Sequence, residues 1–277
     1  MVPTTRGREI SRPVIDILEE VEILVGQGVR EITLLGQNVN SYGMTNRVAD
    51  ENITFPSLLR RVASIKGLRR LRFTTSHPKD LSEELMRCFA EVEILCPHFH
   101  LPVQSGSNAV LQRMNRKYTV ESYLEKVAAL QGYRPDIALA TDIIVGFPGE
   151  TEADFQATMN LLNTVRFHSS FSFKYSDRPH TRSADFVEKI QEDVKSRRLT
   201  AFQNRQDEIC LERNREYIGK KLEIMVEVVN SDDLKGRTAT NQIVHCAHSS
   251  TMHQPGDLTT VHINQAGKHS LKGELQP

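Results

Sequence analysis

The sequence predicts an α/β protein, with a parallel sheet curved toward an incomplete barrel and a small all-β module behind it. Three observations carry this. Five short apolar runs alternate with helical patterns through residue 175. Each run ends in a loop rich in Gly, Gln, Asn, Ser or Asp. From Tyr217 the helical patterns stop and short strand-like runs follow one another. Strand-then-helix alternation is the mark of right-handed parallel crossovers, and in barrels the chemistry sits at the carboxyl-terminal rim. Alternation by itself does not separate an open sheet from a barrel.

The elements follow in order. Pro13 suits a first helical turn, Val14, Leu18, Val21 and Val25 recur at helical spacing, and Gly28 stops the helix. Residues 29–35 (VREITLL) read as a strand, with GQNVNSYG as its loop. Leu58, Leu59, Val62 and Ile65 make a helical face before the strand LRRLRFTT (68–75) and its loop SHP. A helix at 81–89 precedes the strand HFHLPV (98–103) and the loop QSGSN. Val120, Leu124, Val127 and Leu130 mark the next helix, before the strand at 137–145 and its loop GFPGE. Thr151 and Asp154 form a capping-box-like start, with Asp where Glu is usual. Phe171, Phe173 and Tyr175 alternate in the last strand of this series. Residues 185–216 are dense in charge and read as a long surface helix or helix pair. KLEIMVEVV, TNQIVHC and LTTVHIN are then short strands, with SDDLKGR and QPGD as turns. The division is therefore 1–215 and 216–277.

The 277 residues are 39% hydrophobic and 25% charged, a globular balance in a chain long enough to bury a core without disulfides. Lys+Arg and Asp+Glu are both 35. That excludes a wholly basic nucleic-acid coat and an acidic tail, but not a local patch. No apolar run reaches the roughly 18 residues of a membrane span, and MVPTTRGREISRP lacks the apolar core of a secretory leader. Cys88, Cys96, Cys210 and Cys246 stand at no close metal or redox spacing. Free thiols in a reducing cytoplasm are expected.

The runs TRGREISRP, LLGQNVN, TSHP, HLPVQSGSN, RMNRKYT, TDIIVGFPGE and YSDRP together resemble the tRNA methylthiotransferases of the radical S-adenosylmethionine superfamily. LKGRTATNQIVH, PGD and HSLKGEL look like the RNA-binding TRAM domain that ends those enzymes. The loop GQNVN is similar to the branch acting on isopentenylated adenosine 37 of tRNA. The resemblance implies an incomplete βα barrel with a TRAM-like barrel behind it. It also implies methylthiolation at C2 of that adenine with S-adenosylmethionine and 4Fe-4S clusters. The implied partner is tRNA at its anticodon loop, bound by a cytoplasmic monomer, with no DNA or membrane partner.

In that family a CxxxCxxC motif ends one residue before a VPxTRG run. Here Met1 stands in that interval and Val2-Pro3 follows. The expectations are that the cluster cysteines and first barrel strand lie outside this sequence, that this chain holds no cluster and no metal ligand, and that it is catalytically incomplete. The gene upstream of Met1 is expected to encode the missing cysteines. The alternative is a non-catalytic tRNA-binding remnant.

The resemblance makes Gln37, Asn38, Gln104 and Ser105 candidates for the amino-acid end of the cofactor, against the simpler reading that they hydrogen-bond their own loops. Asp142 interrupts an apolar strand, so it is either a satisfied core carboxylate or a rim residue near the sulfonium or ribose. Gly146 and Glu150, in GFPGE, serve turn geometry or face the cofactor. Ser76 and His77 read as structural. Arg113, Arg116 and Lys117 are placed after a tight turn, to grip an anion or simply to be solvated. Between Asn52 and Lys79 there are seven cations and no acids. Arg60, Arg61, Arg69 and Arg70 are the RNA-binding candidates there, against a helix face paired with acids elsewhere. In the TRAM-like module the candidates are Lys235, Arg237, His269 and Lys272, placed in its turns.

Overall fold

The computed structural model describes residues 10–43, 53–74, 76–179, 181–247 and 253–276. Helix α1 (Val14–Gly26) starts after Pro13 and buries Val21 and Val25. Gly28, at φ +98°, ends it by donating to the Val25 carbonyl. Strand β1 (Glu31–Leu34) pairs in parallel with β2 (Arg70–Phe73). Between them lies α2 (Phe55–Ala63), whose cap Thr54 accepts from the Ser57 amide. Helix α3 (Glu83–Glu91) is capped by Ser82 and leads to β3 (His98–His100). Next come α4 (Asn108–Arg113), α5 (Val120–Tyr133) and β4 (Ala138–Val145), then α6 (Glu152–Val165) and β5 (Ser169–Lys174). The Thr151–Asp154 box at the head of α6 forms as anticipated, with each partner reaching the other's backbone N–H.

Strands β3, β4 and β5 are parallel neighbours. A bridge from Leu71 to Leu95 joins them to the β1–β2 pair: the Leu71 amide donates to the Ile94 carbonyl at 2.8 Å, and the Cys96 amide to the Leu71 carbonyl at 2.9 Å. The two-stranded and three-stranded parallel sheets, set side by side by this bridge, make the incomplete barrel of the expected class. Alternate side chains divide between its two faces. Leu71, Phe73, Phe99, Leu139 and Ile143 are buried in the main apolar core. Around Phe73 the rings of Phe55, Phe99 and Phe89 lie 5.0, 5.5 and 5.7 Å away. By the same alternation Arg70, Arg72, His98, His100 and Asp142 share the other face, the lumen side, with Ala138, Ala140, Ile144 and Phe171.

The charged stretch forms a single long helix, α7 (Glu192–Arg215), preceded by one short 3-10 turn at Arg182–Asp185. Five strands then close a barrel in the order β10-β8-β7-β6-β9: β6 (Lys221–Val229), β7 (Asp233–Thr238), β8 (Ile243–Ala247), β9 (Leu258–Ala266) and β10 (Ser270–Leu275). It has its own apolar core around Ile224, Val226, Leu234, Val261 and Ile263. Two readings change here. SDDLKGR is a turn only at its start. From Asp233 it is strand, because Leu234, Gly236 and Thr238 alternate inward. Gly236 is required there, since a Cβ would sit 2.7 Å from the Met225 carbonyl oxygen. HSLKGEL likewise contributes β10. Lys235, Arg237 and Lys272 therefore lie on strands, and among the four candidates only His269 is in a turn.

The two barrels are joined by a clasp of buried guanidiniums. Arg70 donates to the Arg237 carbonyl (2.6 Å) and to Glu223. Arg72 donates to the Thr238 and Ala239 carbonyls (both 2.9 Å) and forms an ion pair with Glu31.

Candidate functional site

The loops at the carboxyl ends of the strands form one rim. After β1, Gln37 is exposed, while Asn38 donates to Asp80 Oδ2 at 2.7 Å. The Asn38 side-chain amide oxygen, Oδ1, is buried without a hydrogen-bond partner, as is the Ser76 hydroxyl on the β2 loop. Asn40 and His77 exchange two hydrogen bonds through the His77 backbone, which fixes the two loops together. Burial, and then Arg116, push the His77 imidazole below its ordinary range.

After β3, Gln104 adopts φ +74° and is held by two backbone bonds to β4: its amide donates to the Asp142 carbonyl and its carbonyl accepts from Ile144. Ser105 is buried and lies 3.4 Å from the Thr158 hydroxyl of α6. After β4, Gly146 (φ +71°) leaves room for Lys195, whose Cγ would be 2.4 Å from an added Cβ. The Gly146 amide donates to Glu150, and Glu150 pairs with Arg198 at 2.8 Å. Both side chains are buried, and burial lifts the Glu150 carboxyl above its usual range. Glu150 thus ties the turn to α7. Asp142 lies in the lumen and bonds His100 Nε2 at 2.9 Å, with the exposed Phe171 edge-on to that imidazole. His100 is the partner the sequence reading passed over. The signal was its place two residues from His98 on one strand face.

A cleft of about 900 Å³ opens beside this rim, at the ends of β4 and β5. Among the described residues, Gln104, Phe147, Phe173 and Tyr175 line it, together with five cations and no acid: Arg113, Arg116, Lys174, Arg178 and Arg182. Arg113 lies at the end of α4, before the turn at Asn115 (φ +58°), rather than after it. Ser107 caps that short helix, and its hydroxyl also donates to Asp154, so the polar loop winds up instead of remaining irregular. Arg113 pairs with Glu188 and packs over Phe186. Gln37, Asn38, Ser105, Asp142, Gly146 and Glu150 are not among the residues that line the cleft, while Gln104 is.

The RNA candidates scatter. Arg60 bridges Glu84 and Glu91 on the helical face. Arg61 and Arg69 are exposed, and Arg70 is buried in the clasp. Lys235 and Arg237 share Glu227, His269 stands 3.9 Å from Asp207, and Lys272 is exposed on β10.

The residues fit the cofactor and the cluster unequally. An unsatisfied amide oxygen and an unsatisfied hydroxyl on one rim, next to a cationic cleft, suit the polar ends of S-adenosylmethionine. All four cysteines are buried, and burial raises each thiol, Cys96 and Cys246 to about 11. Among the described residues no three His, Cys, Asp or Glu side chains gather as a metal site. These residues do not fit an iron–sulfur cluster. Among them, too, no helix is long and apolar enough to cross a membrane.

A curved parallel βα array with its open rim at the strand ends, and a profile match to the Radical SAM superfamily over residues 1–162, place the chain in that superfamily. Its relatives are narrower in kind. A tRNA-2-methylthio-N(6)-dimethylallyladenosine synthase of Desulfotalea psychrophila is 57% identical over 99% of this chain and 62% of its own length. Proteins of the same name from Syntrophobacter fumaroxidans and Geobacter sulfurreducens are 49% and 50% identical, with 60% and 61% of their lengths covered. The chain thus spans about three fifths of these relatives. Among solved structures, coproporphyrinogen III oxidase of Escherichia coli, a radical SAM enzyme, shares the fold at TM-score 0.52 and 14% identity, over 70% of this chain and 45% of its own. A radical S-adenosylmethionine methyltransferase from Kitasatospora setae does so at 0.50 and 17%, over 64% and 33%.

Proposed function

We propose that this chain is the S-adenosylmethionine-binding and tRNA-binding part of a methylthiotransferase that modifies C2 of isopentenylated adenosine 37. Residues 1–215 form the cofactor unit and 216–277 the RNA-binding unit. The observation that carries the reading is the cationic cleft, with no acid among its described lining residues, beside a rim with unspent polar atoms. It has room for a nucleoside next to a cofactor. Gln37, Asn38, Gln104 and Ser105 serve the amino-acid end of the cofactor, Asp142 its ribose or sulfonium, and Gly146 and Glu150 the shape of the turn against it. Given one electron from a reduced iron–sulfur cluster, the bound cofactor would supply the radical that removes hydrogen from the adenine carbon. The chain's own residues bind, orient and exclude water. The anticodon loop of tRNA is the partner of a cytoplasmic monomer.

The test is binding of an isopentenylated anticodon stem–loop, followed by fluorescence anisotropy in low salt. Saturable binding that weakens with salt is expected, and no binding would overturn the reading. The poor fit of the described residues to a cluster favours a second reading, a tRNA-binding piece without catalysis. Iron and sulfide analysis after anaerobic reconstitution tests that second reading. A stoichiometric cluster would exclude the second.

A further inference from the structure

The cations of the cleft are not equivalent. Arg113 is held by Glu188, Lys174 by Glu192, and Arg116 stands 3.4 Å from His77 Nε2. Among the described residues, no hydrogen bond or ion pair engages the side chain of Arg178 or Arg182, and both are exposed on the lip between β5 and α7. The lip itself is tied down. Lys189 reaches Asp177 and donates to the Ser183 and Ala184 carbonyls at 2.9 Å, and Thr181 bonds back to the Arg178 carbonyl through its hydroxyl and its amide. Two unneutralised guanidiniums four residues apart are therefore presented on a built loop. Beside them Phe173 lines the same cleft with 54% of its surface open to water. An exposed ring next to free guanidiniums has the chemistry of single-stranded RNA recognition: charge for successive phosphates and a π-face for an unstacked base.

We infer that Arg178 and Arg182 grip neighbouring phosphates of a single-stranded RNA loop while Phe173 stacks a base turned out into the cleft. This rests on the RNA reading above and adds to it the surface that reads the loop. Among the described residues no acid lines the cleft to oppose a phosphate, and none of the three residues is buried, so each can be changed without opening a core.

The test uses the full chain and a fluorescein-labelled 17-nucleotide anticodon stem–loop, titrated at four salt concentrations. Each single-strand phosphate contact contributes about 0.7 to the log–log salt slope. Arg178→Gln with Arg182→Gln should make the slope shallower by about 1.4, and Arg178→Lys with Arg182→Lys should keep it. Phe173→Ala should weaken binding by about 5- to 100-fold with the slope unchanged. If wild type binds but the glutamine pair leaves its slope unaltered, this inference falls and the RNA reading stands. If wild type fails to bind in low salt, the RNA reading itself falls.

Discussion

Two regions of this molecule are rich in cations, and they spend them differently. In the segment around α2 and β2, Arg60 is shared by two glutamates, and Arg70 and Arg72 are buried against carbonyls of the second barrel. On the lip after β5, Arg178 and Arg182 keep their charge for solvent. In sequence the first region is the denser and draws attention as a nucleic-acid patch. The fold discounts part of that patch: Arg60, Arg70 and Arg72 are paired, while Arg61 and Arg69 stay exposed, and an exposed field depends on charge left unpaired rather than on charge present. Arg60, Arg70 and Arg72 are mortar between elements, and Arg178 and Arg182 are surface.

The largest expected effect comes from removing mortar. Arg72→Ala deletes two charge-assisted bonds to buried carbonyls and should cost about 3 kcal/mol in urea denaturation. A cost below about 1 kcal/mol would break the contrast.

The next effect is pH-dependent and involves His98, which lies in the field of Arg72 and Arg237. Burial, and then Arg72, push His98 down to about 3; burial, and then Arg213, do the same to His168. Unfolded imidazoles take a proton near 6.5. Between those values the unfolded chain binds more protons, so stability is full above about 6.5 and falls as pH drops toward 3. Urea midpoints at pH 7.5 and 5.5 should differ in wild type, and the difference should shrink in His98→Gln with His168→Gln. An undiminished difference would place both rings in water.

Arg60→Ala should cost less than about 1 kcal/mol, since its pairs are half-exposed; a larger loss would make the helical face part of the mortar. Smallest of all, Arg178→Ala should move stability by no more than about 0.5 kcal/mol. A larger shift, read from the same denaturation curves, would show that the lip arginine is structural after all.

Element order was legible because local signals and tertiary packing agree. The Thr151 box, the Gly28 stop and the alternation of Phe171 and Phe173 report short-range geometry, and each appears in the structure. Strand β7 was hidden because its inward positions are Leu234, Gly236 and Thr238, and glycine carries no hydrophobic signal even where only it fits. Helix α4 was hidden for a similar reason: Ser107 and Asn108 read as loop until Ser107 is seen capping Val110. At the site, strand ends pointed to the rim, but pairing was not legible. Arg70 meets Arg237 across 167 positions and His100 meets Asp142 across 42, separations that no local pattern encodes.

The left-handed backbone at Gln104 has one more consequence. A residue with a Cβ at φ +74° costs about 1–2 kcal/mol that glycine would not. The loop nevertheless carries a glutamine whose side chain reaches the cleft. Directed evolution for heat tolerance would therefore favour Gln104→Gly and gain ruggedness, while emptying a polar contact from the cleft. At this position durability and competence pull in opposite directions, so screens for one select against the other.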